Sequence, residues 1–237
     1  MTDTYMLDAT GLTRRYGGFT ALNDVTLKVR QGEIRGLIGS NGAGKSTCMD
    51  VLTGRGRNPL GKVVLGGQDI SHLNERERRA FGLSRSFQKT NIFPELTIRE
   101  QVELAARRAE MDNTDEVLEE LSLSALANRP ASDVSYGDQR RVDLALALVG
   151  QPKVLLLDEP AAGLTIEESL SLARHLRSLA ERWKLTVVLV EHDMEVIFAI
   201  CDRLTVLHLG EVLTEGDPAT VRDDPEVVRA YLGSTFA

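Results

Sequence analysis

Apolar and polar residues alternate in a short stretch near the N-terminus, where Val25, Leu27 and Val29 are interleaved with Thr26, Lys28 and Arg30. A period of two with one apolar face predicts a half-exposed antiparallel strand, ended by the turn Gln31-Gly32-Glu33. Elsewhere the pattern changes. The run Ile34 to Ile38, and later Val154-Leu155-Leu156-Leu157 and Thr186 to Val190, are mainly apolar without alternation and too short for helices. The last two read as buried strands, Val154 to Leu157 covered on both faces. Gly61 to Ile70 predicts a short strand pair around Gly66-Gly67, and Glu75 to Ala80 one or two charged helical turns. Ile98 to Arg108 has helical spacing, as does Asn113 to Leu126, which opens with Asn113 as cap and Glu116 three residues on. Thr165 and Glu168 make a capping box before a helix whose inner face is Leu170, Ala173, Leu176, Leu179, Ala180 and Trp183.

Strands that alternate with helices predict a mostly parallel sheet, in which ligands bind beyond the carboxyl ends of the strands. The stretch 89–149 carries no strand signal. It reads as a helical part inserted into an α/β core formed by residues 1–88 and 150–237, all within one domain of 237 residues.

Composition narrows this only a little. Hydrophobic residues at 42% and charged ones at 27% are ordinary for a globular chain, and no apolar run approaches the ~18 residues of a membrane span. Met1-Thr2-Asp3-Thr4-Tyr5 lacks the basic and apolar regions of a signal peptide, so a cytoplasmic location is expected. The net charge of −7 argues against bulk nucleic-acid binding. Cys48 and Cys201 offer neither a disulfide framework nor metal-ligand spacing, and both are expected to be buried.

Candidate chemistry starts directly after the strand Ile34 to Ile38. Gly39-Ser40-Asn41-Gly42-Ala43-Gly44-Lys45-Ser46 fits Gly, four residues, Gly-Lys-Ser, the pattern of a phosphate-binding loop. Its glycines let backbone N–H groups turn toward one anion. Lys45 sets a point charge against the β- and γ-phosphates, Ser46 offers a hydroxyl to Mg²⁺, and the helix starting near Lys45 directs its positive end there. ATP or GTP is the expected ligand, and the loop alone does not choose between a GTPase, a kinase and an ATPase. Asp158 and Glu159 follow one buried strand and His192 another, so all lie at the strand ends where the loop sits. Asp158 suits an Mg²⁺ partner, and Glu159 is placed to face an attacking water. Ser135 can cap a helix, and a serine-capped helix N-terminus is also an anion site.

From about Leu7 to Leu232 the chain resembles the ATP-hydrolysing subunits of ABC transporters. Gly39 to Ser46, with Thr47 next, matches the Walker A motif and Val154 to Asp158 the Walker B motif, with Glu159 beside it. Ser135-Tyr136-Gly137-Asp138-Gln139 matches the signature sequence, Gln88 the Q-loop, His192 the switch histidine and Tyr16 the aromatic that stacks on adenine. The resemblance implies a P-loop NTPase (RecA-like) fold with a mostly parallel sheet, an N-terminal antiparallel β part and an inserted helical part. It implies ATP and Mg²⁺, with Ser46, Gln88 and Asp158 on the metal, Glu159 as general base, and Lys45 and His192 at the γ-phosphate. Ser135, Gly137 and Gln139 would meet ATP held by a second such subunit, identical or homologous, because this chain carries one loop and one signature. Tyr136 stands where the signature commonly has Gly, and Thr165 where many members carry Asp. These, with Arg140-Arg141 and the ending Arg229-Ala230-Tyr231-Leu232-Gly233, look like the subunits of branched-chain amino acid importers, with urea and amide importers close behind.

The partners so implied are integral membrane permease subunits and, through them, a periplasmic or extracellular substrate-binding protein. No nucleic acid is expected, and the place of work is the cytoplasmic face of the membrane. The insertion between Gln88 and Ser135 is short for that group. Apolar residues beside Pro94, in Asn91-Ile92-Phe93-Pro94-Glu95-Leu96, mark Phe93 and Glu95 as a docking point for a permease helix. Two alternatives stay open: an ABC-type ATPase acting on nucleic acid or ribosomes, and a nucleotide-dependent interaction module without turnover. His72, His175 and His208 have no motif around them and read as structural.

Overall fold

The structure, a computed structural model, describes residues 5–56, 60–86 and 91–232. In chain order the elements are β1 (Tyr5–Tyr16), β2 (Phe19–Arg30), β3 (Ile34–Ile38), α1 (Lys45–Thr53), β4 (Leu60–Leu65), β5 (Gln68–Asp69), α2 (Glu75–Ala80) and β6 (Leu83–Arg85). Next come α3 (Ile98–Arg108), α4 (Thr114–Glu120), α5 (Tyr136–Leu148), β7 (Val154–Asp158), α6 (Ile166–Trp183), β8 (Thr186–Val190), α7 (Met194–Ile200), β9 (Arg203–His208), β10 (Glu211–Gly216), α8 (Pro218–Arg222) and α9 (Pro225–Val227).

Two sheets result. One is antiparallel in the order β2-β1-β4-β5. The other runs β10-β9-β3-β8-β7-β6, parallel at every pairing except β9 with β10. The unbroken apolar strands owe their pattern to two cores. Leu155 and Leu157 of β7 join Val187 and Leu189 of β8 against residues of α3, α5 and α6. Val154, Leu156, Val188 and Val190, the alternate positions, face a second cluster with Cys48, Met49 and Leu52 of α1 and with Leu12, Leu22 and Val25 of the antiparallel sheet. Successive side chains of a strand point to opposite faces, so a strand covered on both sides shows no alternation.

The half-exposed strand at Val25 to Arg30 is the end of β2, with Val25, Leu27 and Val29 buried. The pair around Gly66-Gly67 is β4 and β5. The capping box before α6 is present, with the Glu168 N–H on Thr165 Oγ1 and the Thr165 N–H on Glu168 Oε2. Within the run Ile34 to Ile38, Arg35 is 1% exposed. Burying a charge there is tolerated because it is paired: Nε meets Glu33 at 2.6 Å, Nη1 meets Glu215 at 2.8 Å and Thr205 at 2.9 Å, and Nη2 donates to the Lys28 carbonyl.

One helix is shorter than its spacing predicts. The segment from Asn113 to Leu126 is α4, ending at Glu120, with a separate turn at Ser124–Leu126. Ser122 between them has φ of 56°, and the flanking Leu121 and Leu123 are both fully buried, so packing of these leucines breaks the helix. Asn113 makes no capping bond. Its amide is buried and has no hydrogen-bond partner among the described residues, because its backbone is not in the extended conformation that aims a cap at the helix.

Candidate functional site

β3, β7 and β8 end side by side, and the segments leaving their carboxyl ends build the site. After β3 the chain enters the loop at Gly39, whose φ of 150° and whose distance of 2.2 Å from a would-be β-carbon to the Leu207 carbonyl oxygen leave room only for glycine. Gly44, with φ of 109°, is the N-cap of α1, and a β-carbon there would lie 2.8 Å from the Ala21 carbonyl oxygen. Lys45 folds back over the loop, its Nζ donating to the Gly39 carbonyl at 2.6 Å and the Ser40 carbonyl at 3.0 Å. Burial pulls its ammonium below the ordinary lysine range, while the Glu159 and Asp158 carboxylates act in the opposite direction.

At the end of β7 the chain turns sharply. Glu159 has φ of 52°, a left-handed conformation unusual for its residue type, held by its N–H on the Val190 carbonyl at 2.8 Å. This places Glu159 Oε1 2.8 Å from His192 Nε2. A pocket lined by Tyr16, Phe19, Ala21, Asn41, Gly42, Gly44, Lys45, Ser46, Thr47, Glu159 and His192 brings most of the expected nucleotide residues together. Asp158 lies beneath it, nine-tenths buried, with Oδ2 on Arg85 at 2.7 Å. A hydroxyl from Ser46 and a carboxylate from Asp158 are hard oxygen donors. They fit Mg²⁺, which takes one or two protein oxygens and completes its shell with phosphates and water.

The signature residues are elsewhere. Ser135 caps α5 through Asp138, and Ser135 and Gly137 line a separate cavity with Leu164, Glu168 and His175. The Gln139 amide turns inward and donates to the Ala131 carbonyl at 3.0 Å. Tyr136, in the place where Gly is common, reaches the loop after Glu159 of its own subunit: its hydroxyl donates to the Ala162 carbonyl at 3.2 Å, and Arg140 lies over its ring and shares that carbonyl. Gln88 lies outside the described residues. Cys48 and Cys201 are buried, and burial pushes both thiols up to about 12.

Three residues at the site were not legible beforehand. Phe19 faces the pocket across the Gly17-Gly18 turn from Tyr16, with which it pairs in the β1–β2 hairpin; an aromatic just past a Gly-Gly turn was the available signal. Arg85 reaches Asp158 from β6, a strand of three residues that leaves no periodicity to read. Glu191, between an apolar strand and His192, is 4% exposed and accepts the Ala161 N–H at 2.8 Å, fastening the loop after Glu159 to the end of β8.

Burial lifts the Glu191 carboxyl above its usual range, against the bonds from Ala161 and His192. A raised native value means that the folded chain binds this proton more tightly than the unfolded one. Its contribution to stability is therefore complete below the ordinary carboxylate range of about 4–5 and is lost as pH rises through the raised value. Glu191→Gln keeps an oxygen for Ala161 and removes the buried charge. The loss of urea stability as pH rises above the ordinary carboxylate range should shrink in the variant, and a steeper loss would contradict this account of Glu191.

Comparison with known proteins bears on the family and the fold. The family model described as ABC transporter matches residues 22–162, and one described as branched-chain amino acid ATP-binding cassette transporter matches residues 211–237. The high-affinity branched-chain amino acid transport ATP-binding protein LivG of Salmonella typhimurium is 37% identical over 96% of this chain and 98% of its own length. The corresponding BraF of Pseudomonas aeruginosa is 36% identical with the same coverage. Among solved structures, the ADP conformation of MJ1267, an ATP-binding cassette of an ABC transporter, superposes with a TM-score of 0.87 at 28% identity, over 97% of this chain and 99% of that one. This chain belongs to the ATP-binding cassettes of the ABC transporter family, ATPases coupled to transport.

Proposed function

We propose that the chain powers the import of branched-chain or related amino acids, working from the cytoplasmic face of the membrane on permease subunits and beside a second ATPase subunit. No described helix is long and apolar enough to cross a membrane. One observation carries the catalytic part: Lys45, Ser46, Glu159 and His192 share a pocket whose lining, among the described residues, includes no signature residue. Such a pocket is completed by the signature helix of another subunit. The substrate class rests on the names of the relatives and on the match at residues 211–237.

In this reading the loop amides and Lys45 hold the phosphates and stabilise the charge that develops on them. Tyr16 and Phe19 present aromatic faces for the base. Ser46, Asp158 and Gln88 would hold Mg²⁺, which when bound would neutralise phosphate charge. Glu159 accepts the proton of the attacking water, and His192, hydrogen-bonded to it, steadies the γ-phosphate. The helical part, residues 89–149, carries the signature and faces the permease. A substrate-binding protein joins only through that permease.

Docking on the permease is tested at Phe93, which is 60% exposed while the adjacent Ile92 packs on the core. An exposed aromatic beside a carboxylate suits the end of an amphipathic helix. With permease, binding protein and ATP reconstituted in vesicles, the wild-type subunit should drive leucine uptake. Phe93→Ala with Glu95→Lys should lower that uptake by about tenfold or more, with ATP binding by the isolated subunit unchanged. Normal uptake in the double variant would move the docking surface elsewhere. Uptake of urea or an amide in place of leucine would change the substrate class.

A further inference from the structure

Arg85 is buried between two carboxylates. Its Nη1 lies 2.6 Å from Asp50 Oδ1 and its Nη2 2.7 Å from Asp158 Oδ2, with the Arg85 and Asp158 side chains only 7% and 8% exposed. The three residues come from three elements. Asp50 is on α1, four residues after Ser46 and therefore on the same helical face; Asp158 ends β7; Arg85 ends β6. The guanidinium thus sits where α1 and the strand ends meet, beside the oxygens assigned above to Mg²⁺.

Asp158 is nearly dry and Asp50 about one-third exposed (33%), and the pair favours a shared cation, since like charges raise each other's energy and burial strips Asp158 of water. Arginine satisfies both at once because its planar fork bonds two acceptors and stays charged at every physiological pH. A divalent metal would satisfy the same pair, because hard carboxylate oxygens are its preferred ligands. Arg85 and a metal are therefore competitors for Asp158.

We propose that Arg85 is a guard on Asp158: it supplies the counter-ion of the nucleotide-free subunit and so keeps a divalent cation from settling between Asp50 and Asp158 until phosphates bring one. This rests on the assignment of Asp158 to the metal. The consequence would be an ordered site, in which Arg85 keeps Asp50 and yields Asp158 only when a cation comes with ATP. It would also link metal occupancy to the end of β6.

The test uses Mn²⁺ as the probe and the full-length subunit without nucleotide, read by electron paramagnetic resonance and by thermal unfolding. Arg85→Met should bind Mn²⁺ at least about tenfold more tightly than the wild type, and Mn²⁺ should raise its unfolding temperature, as ligand linkage requires. Removing the second carboxylate in Arg85→Met with Asp50→Asn should abolish that gain. Arg85→Lys, which keeps a charge but bonds one carboxylate at a time, should lie between and serves where the methionine variant fails to fold. A folded Arg85→Met, or failing that Arg85→Lys, with wild-type Mn²⁺ affinity and no Mn²⁺-dependent stabilisation would overturn the proposal. A purely structural ion pair would give that result, lowering stability alone. In a parallel titration with ATP added, a wild-type subunit that fails to bind ATP with Mn²⁺ would instead sink the nucleotide assignment, an outcome distinct from the nucleotide-free readings above.

Discussion

Glu159→Gln should slow ATP hydrolysis by roughly 10²–10⁴-fold while leaving ATP binding intact, because the amide keeps size and hydrogen bonding but cannot take a proton. The geometry makes this a clean substitution. Glu159 is held by its backbone, through the left-handed φ of 52° and the bond to the Val190 carbonyl, and neither depends on the carboxylate. The side chain of glutamine can still accept a bond at the position where Oε1 now meets His192. Loop amides and Lys45, proposed above to hold the phosphates, are untouched. ATP-bound pairs of subunits should accumulate as a result, visible as a nucleotide-dependent shift in size. Turnover at the wild-type rate, measured with the membrane partners present, would remove Glu159 from the base role.

How far each feature could be read from sequence depends on how it is encoded. The phosphate loop is local: its glycines, Lys45 and Ser46 are contiguous, and their backbone demands are met within the loop, as at Gly39 and Gly44. Strands β3, β7 and β8 were readable because burial on both faces excludes polar residues almost completely, and the one exception inside β3, Arg35, is a paired ion. β1 was not, since Gly11 and the Arg14-Arg15 pair interrupt its alternation at positions where the register shifts. β9 and β10 escaped because they pair across a turn at Leu209-Gly210 in which Leu209 adopts φ of 48°, a conformation its residue type rarely signals. In the site, residues that act from within a motif were found, whereas Arg85 and Glu191 act through contacts 73 and 30 positions away along the chain. Separations of that length leave no local pattern, and only the fold reveals them.

The central claim is that each nucleotide site is shared between two subunits, the loop from one and the signature from the other. Lys45→Ala removes the ammonium proposed to meet the phosphates. Gly137→Asp sets a carboxylate beside the helix end that should meet the γ-phosphate; within its own subunit a β-carbon there has no neighbour nearer than 3.8 Å, so the fold tolerates it. Each variant alone spoils both sites of a symmetric pair and should be inactive. In a heterodimer of the two, the intact loop of one faces the intact signature of the other, so a single working site returns. Random pairing of equal amounts makes half the dimers mixed, which predicts about a quarter of wild-type phosphate release if the sites act independently. The deciding measurement is therefore steady-state phosphate release from the equimolar mixture, with ATP, Mg²⁺ and the permease: activity well above either variant alone is the expected result, and a mixture no more active than its components would contradict the shared site.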